Sequence, residues 1–157
     1  MTQSPDDPVL LQSAIQSLIP HRYPFLLVDR VVEFVAGQRI VGTKNISFDD
    51  ETCQGYLPAL PATSLSIVLE AVTQLGAILV LARPEMAGKV AVILQIPAAQ
   101  SLKRVEPGDA LRLEARVLKL KENFGELHGS AFRDGELVGE GQMRFAIAEA
   151  AEVVRQK

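Results

Sequence analysis

The chain has 157 residues, a net charge of −3, 48% hydrophobic and 22% charged residues, the make-up of one ordinary globular domain rather than a disordered or fibrous chain. No basic excess is available for a nucleic-acid-binding surface, so no nucleic-acid partner is expected. The single cysteine, Cys53, excludes an intramolecular disulfide and a multi-cysteine metal site, and it suits a reducing, cytoplasmic setting.

The opening MTQSPDDPVLLQSAIQ is acidic and lacks a charged-then-apolar leader pattern. Residues 1–7 and 149–157 are expected to be loose ends of a single domain spanning 1–157. Asp7 and Pro8 read as the cap and first turn of a short helix, VLLQSAIQSLI, which Pro20 ends. PHRYP is a turn stiffened by Pro20 and Pro24. FLLVDRVVEFV (25–35) then predicts a strand, Gly37-Gln38 a turn, and RIVGTKNIS (39–47) a returning strand. A proline- and glycine-broken loop, DDETCQGYLPALPAT, follows.

The segment from Ser64 to Ala82 predicts a helix. By length alone it could cross a membrane. It carries Glu70 and Gln74, however, and sits among strands, so a central buried helix is expected and no membrane span. KVAVILQI (89–96) is a continuous apolar strand, as expected where the helix covers one face and a partner the other. Pro107-Gly108-Asp109 is a turn. ALRLEARVLKLKE, FGELHGSAFRD and ELVGEGQMRFAIA then alternate as an antiparallel meander, with Asp134-Gly135 as a tight hairpin turn. The tail EAAEVVRQK is a frayed end or a short helix. The sum is an α+β protein: an antiparallel sheet wrapped around one long helix.

On that helix the apolar residues cover most of the circumference, and Ser66, Glu70, Thr73 and Gln74 share one narrow stripe. Two readings stand. The stripe is a solvent face, or it is a poorly solvated site holding the helix's only charge, Glu70. Burying an unpaired carboxylate costs several kcal/mol or makes it take up a proton. A neutral carboxyl can donate that proton as a general acid. Of the two histidines, His128 reads as a strand residue. His21, in the proline-bracketed turn, has the side chain suited to accepting a proton near neutral pH, but alone it is a weak signal. Their spacing gives no metal site, and there is no GxSxG, P-loop or GxGxxG motif.

PHRYPFLLVDRV (20–31) resembles, nearly letter for letter, the opening motif of the bacterial (3R)-hydroxyacyl-ACP dehydratases. GYLPALPATSLSIVLEAVTQ (55–74) is similar, without a gap, to that family's second motif, GHFPGxPxMPGVLxxEAxAQ. VEPGD (105–109) fits a later turn, and the likeness covers about residues 10 to 148. The resemblance implies the hot-dog fold and a lyase that converts a 3-hydroxyacyl thioester on acyl carrier protein to the trans-2-enoyl thioester; no cofactor and no metal are expected. It implies that His21 removes the C2 proton and that Glu70 assists departure of the 3-hydroxyl. The two would come from different subunits of a dimer, or of a trimer of dimers. Ser64, Leu65, Gln74, Tyr56 and Phe25 become candidate substrate-binding residues, with amides at the start of the helix aimed at the thioester carbonyl. Arg22, Lys103 and Arg104 become candidate contacts for the acidic carrier. The second motif departs at Tyr56, Ala59 and Thr63-Ser64-Leu65, where the family has His, Gly and Met-Pro-Gly. Those changes keep two alternatives open: a non-catalytic acyl-binding or assembly subunit, and an acyl-thioester hydrolase.

Overall fold

The computed structural model describes residues 9–50 and 62–155. Helix α1 (Gln12–Leu18) precedes a pair of strands, β1 (Arg30–Val35) and β2 (Arg39–Asn45). The long helix α2 (Leu65–Leu81) follows. A single 3₁₀ turn (Pro84–Met86) leads to β3 (Lys89–Ser101), β4 (Ala110–Leu120), β5 (Phe124–Arg133), β6 (Glu136–Glu149) and a closing helix α3 (Ala150–Arg155). The strands form one antiparallel sheet in the order β1-β2-β4-β5-β6-β3.

Local chemistry accounts for most of these boundaries. β1 turns into β2 through Gly37, whose φ of +68° suits a residue without Cβ. β5 turns into β6 through Asp134 and Gly135, at φ 51° and 82°, the left-handed pair that a two-residue hairpin of matching twist requires. Ser64 caps α2, its hydroxyl accepting the Ile67 N–H at 3.4 Å.

α2 lies across one face of the sheet and buries Val68, Val72, Leu75, Ile78 and Leu79 there. Each such side chain stabilises the fold by about 1.5–3 kcal/mol on burial. The approach is close: a Cβ at Gly129 would sit 2.0 Å from Val72, and one at Gly76 would sit 2.4 Å from Leu127. Because Leu127 and Gly129 face α2, His128 and Ser130 between and beside them point to the opposite face. Among the described residues no helix is long and apolar enough to cross a membrane.

Three expectations change. The strand foreseen over 25–35 begins only at Arg30. Within residues 25–29 side chains take up several backbone groups, and only the Asp29 N–H is seen to reach β2, donating to the Thr43 carbonyl at 2.9 Å. Gln74 takes the Phe25 carbonyl and the Leu27 N–H, and Gln12 donates to the carbonyls of Val28 and Asp29. The strand foreseen over 89–96 runs on to Ser101, with a register break between Gln95 and Ala98 that accommodates Pro97. That position is tolerable because β3 is an edge strand. Its outer side is uncovered in this chain, and Val92, Leu94 and Ile96 are exposed. Finally, of the frayed end or short helix foreseen for the tail, residues 150–155 take the helix, α3, tied down by the Ala150 N–H donating to the Gly88 carbonyl at 3.0 Å, so the loose end foreseen from 149 gives way to it. Asp7, Pro8, Cys53, Tyr56 and Ala59 lie outside the described residues.

Candidate active site

The turn carrying His21 is built by its neighbours. The Arg22 guanidinium donates to the carbonyls of Gln16, Ile19 and His21, closing the C-terminal end of α1. The Phe25 N–H donates to the Arg22 carbonyl at 2.7 Å, and the Tyr23–Pro24 peptide is cis. The imidazole lies beside the Phe25 ring, centroid to centroid 6.4 Å.

Gln74 fastens this turn to α2. It is 1% exposed and uses both ends of its amide. Oε1 accepts from the Leu27 N–H at 2.8 Å. Nε2 donates to the Phe25 carbonyl at 2.8 Å and to Glu70 Oε1 at 2.9 Å, one helical turn away. The same side chain therefore fixes the turn that carries the histidine and the carboxylate that faces it. The result is a pair: His21 Nε2 lies 3.5 Å from Glu70 Oε1. His21 Nδ1 is buried and has no hydrogen-bond partner among the described residues.

Both members of the pair belong to one chain. Within the chain, the Gln74 clamp holds the His21 turn against its own helix. Nor is Glu70 sealed from water: its side chain is 28% exposed, because it stands at an opening of the fold rather than inside the core. The stripe on α2 thus joins the two readings left open above, with Gln74 buried and Glu70 half-buried.

The pair borders a cavity of about 530 Å³. Glu70, Thr73, Ala77 and Val80 line it along α2, at spacings of three and four residues that place them on one face. Residues 90–93 of β3, with Leu127 and Phe145 of the sheet, form most of the remaining apolar wall. Phe25 and Gln74 line it as well. Ser64 and Leu65 do not. Ser64 is occupied as the helix cap, and Leu65 reaches over β6, where a Cβ at Gly139 would meet it at 3.3 Å. The candidate carrier contacts are engaged within the chain: Arg22 with backbone carbonyls, Lys103 with Glu136, and Arg104 with Glu106. Among the described residues no group of three or more His, Cys, Asp or Glu could hold a metal ion.

The sequence suggested that the apolar part of this helix lines a tunnel but did not single out Ala77 and Val80, which fall on the Glu70 face at i+7 and i+10. It also missed the stapling role of Arg22, which depends on carbonyls that only the folded turn brings together.

A family model described as the FabA-like domain matches residues 19–142. The chain is 43% identical over 140 residues to the 3-hydroxyacyl-(acyl-carrier-protein) dehydratase FabZ of Moorella thermoacetica, a match that spans 89% of this chain and 98% of the relative. The chain belongs to the FabA-like domain family. Among solved structures, the dehydratase heterocomplex ApeI:P from Xenorhabdus doucetiae superposes with a TM-score of 0.76 at 15% identity, over 90% of this chain and 95% of that one. A hot-dog-like protein from Thermanaerovibrio acidaminovorans superposes with a TM-score of 0.64 at 23% identity, over 78% and 90%. At those identities the structural matches speak to the fold alone, which is the hot-dog α+β arrangement. In this FabA-like chain the matched residues include both the turn held by the Gln74 clamp and the helix that carries Glu70.

Proposed function

We infer that this chain is a 3-hydroxyacyl-ACP dehydratase, a lyase of fatty-acid synthesis that eliminates water from a 3-hydroxyacyl thioester to leave the trans-2-enoyl thioester. The observation that carries the assignment of roles is the 3.5 Å contact of His21 Nε2 with Glu70 Oε1 at the edge of an apolar cavity.

His21 Nε2 removes the C2 proton, which is acidified by the adjoining thioester carbonyl. The electron pair of that C–H bond becomes the C2=C3 double bond as the C3–O bond breaks. Glu70 gives its carboxyl proton to the departing hydroxyl, which leaves as water. The proton now on His21 returns to Glu70 across their contact, and the pair is reset. Positioned proton transfer of this kind contributes about 10²–10⁴-fold to a rate. The apolar cavity suits the acyl chain.

The uncovered β3 edge, with Val92, Leu94 and Ile96 exposed, supports self-association of two copies through this strand. The test of function is direct. The full-length protein is incubated with a 3-hydroxyacyl thioester of acyl carrier protein, and both enoyl product and free thiol are followed. Enoyl product that disappears in His21→Ala and Glu70→Gln supports the assignment. Free thiol without enoyl product would make the protein a hydrolase, and neither product would make it an acyl-binding subunit.

A further inference from the structure

Every residue of α2 from Val68 to Leu81 is buried except two, Glu70 and Thr73. Both line the cavity, and they stand three residues apart, so they share one face of the helix. Glu70 is the acid of the pair. Thr73 takes no part in the proton transfers, yet it brings a hydroxyl to a helix face whose next cavity residues, Ala77 and Val80, are apolar. That hydroxyl has no hydrogen-bond partner among the described residues, although a helical threonine can satisfy itself on a carbonyl three or four residues back. In the second motif the residue before the final Gln is Ala. Here it is Thr73, so the hydroxyl belongs to this chain and not to the pattern it resembles.

Glu70 divides the work of its two oxygens. Oε1 accepts from Gln74 at 2.9 Å and lies 3.5 Å from His21 Nε2. Oε2 has no partner among the described residues. Side chains on a helix tilt toward its N-terminus, so Thr73 leans toward Glu70. Cβ atoms three residues apart lie about 5–6 Å from one another. Thr73 and Glu70 make no hydrogen bond with each other, but one oxygen atom held at about 2.7–2.8 Å from each spans a gap of that size. We propose that Thr73 and Glu70 jointly hold the leaving oxygen of the substrate. The proposal rests on the dehydratase reading and adds a substrate-contacting residue to it. Glu70 Oε2 carries the proton that passes to one lone pair of the 3-hydroxyl oxygen. The Thr73 hydroxyl donates a hydrogen bond to the other lone pair and keeps its own proton throughout. As the C3–O bond breaks, its electron pair goes to the oxygen, and water leaves from its contact with Thr73. Two contacts fix the direction of the C3–O bond, where one would leave it free to turn.

The experiment compares wild type, Thr73→Val and Thr73→Ser, all full length. Thr73→Val keeps the branched shape and removes the hydroxyl, whereas Thr73→Ser keeps the hydroxyl. The substrate is the 3-hydroxybutyryl thioester of acyl carrier protein. The butyryl thioester, which lacks the leaving oxygen, serves as a competitive inhibitor. Thr73→Val is expected to lower kcat/KM at least about fivefold, the size of one hydrogen bond, and to leave the inhibition constant within about twofold. Thr73→Ser is expected to recover most of that loss. A smaller loss in Thr73→Val would overturn the proposal. So would a parallel weakening of the inhibitor, which marks a change of pocket shape, or a Thr73→Ser no better than Thr73→Val. A wild type that forms no enoyl product would sink the dehydratase reading and this proposal with it. Enoyl product in wild type with an indifferent Thr73→Val sinks the proposal alone.

Discussion

Two His–Glu pairs stand on opposite faces of the same sheet. His21 and Glu70 approach to 3.5 Å, with side chains 29% and 28% exposed. His128 and Glu140 approach to 3.3 Å, with side chains 38% and 26% exposed. Neither distance nor exposure separates them. Their surroundings do. His128 and Glu140 sit on the neighbouring strands β5 and β6, on the face away from α2, as an ordinary cross-strand pair. Beside them are Gln100, which bonds Glu140, Gln142, and the small residues Ala98 and Ala99. His21 and Glu70 come from a loop and a helix far apart in sequence. They are held together by a buried glutamine whose other bonds go to the backbone, and they border an apolar cavity. What sets the first pair apart is a third residue that fixes both members and an apolar cavity beside them.

The largest difference between the faces should be in catalysis. His21→Ala and Glu70→Gln are each expected to lower kcat by about 10²–10⁴ in the enoyl-forming assay, while the fold, followed by circular dichroism, is retained. Next comes the clamp. Gln74→Leu keeps the volume but leaves the Leu27 N–H and the Phe25 carbonyl unpaired, at about 1–3 kcal/mol per buried group. Urea unfolding should show that loss. As Gln74 also positions Glu70, kcat should fall while KM for the short-chain substrate holds; a drop in stability with kcat unchanged would reduce Gln74 to a structural role.

A smaller effect belongs to the outer face. Burial works to raise the Glu114 carboxyl, but hydrogen bonds from Arg116 and Arg112 and the charges of Arg116 and Arg39 outweigh it and hold the group below its ordinary value. A lowered folded value means the carboxylate's contribution is present above the unfolded value of 4.5 and is lost as the pH falls through the lower, folded value. Glu114→Gln should therefore be less stable than wild type near neutral pH, by about 1–3 kcal/mol. The gap in urea midpoint should close in acid. The smallest effect is expected for the second pair. His128→Ala should change stability by no more than about 0.5 kcal/mol and leave kcat within about twofold.

Features that depend on local pattern were legible in the sequence. The alternation of residues 110–148 gave the meander, Asp134-Gly135 gave its turn, and the apolar run from Ser64 gave α2 with its cap. The likeness of two motifs gave His21 and Glu70. What the sequence hid depends on partners distant in the chain. Residues 25–29 look like strand by composition and are diverted by Gln12 and Gln74. β3 continues past Pro97 because it is an edge, a fact of sheet order and not of the segment itself. Arg22 reads as a candidate carrier contact until the turn folds around it. α3 is held in place because Gly88 and Ala150, far apart in the chain, meet.

The account rests on His21 and Glu70 doing what His128 and Glu140 do not. The most direct measurement is the rate of enoyl thioester formation from a 3-hydroxyacyl thioester of acyl carrier protein, in wild type, His21→Ala and His128→Ala side by side. The account predicts enoyl product in wild type and His128→Ala at nearly equal rates and a loss of about 10²-fold or more in His21→Ala. Equal rates in all three, or a loss confined to His128→Ala, would contradict it.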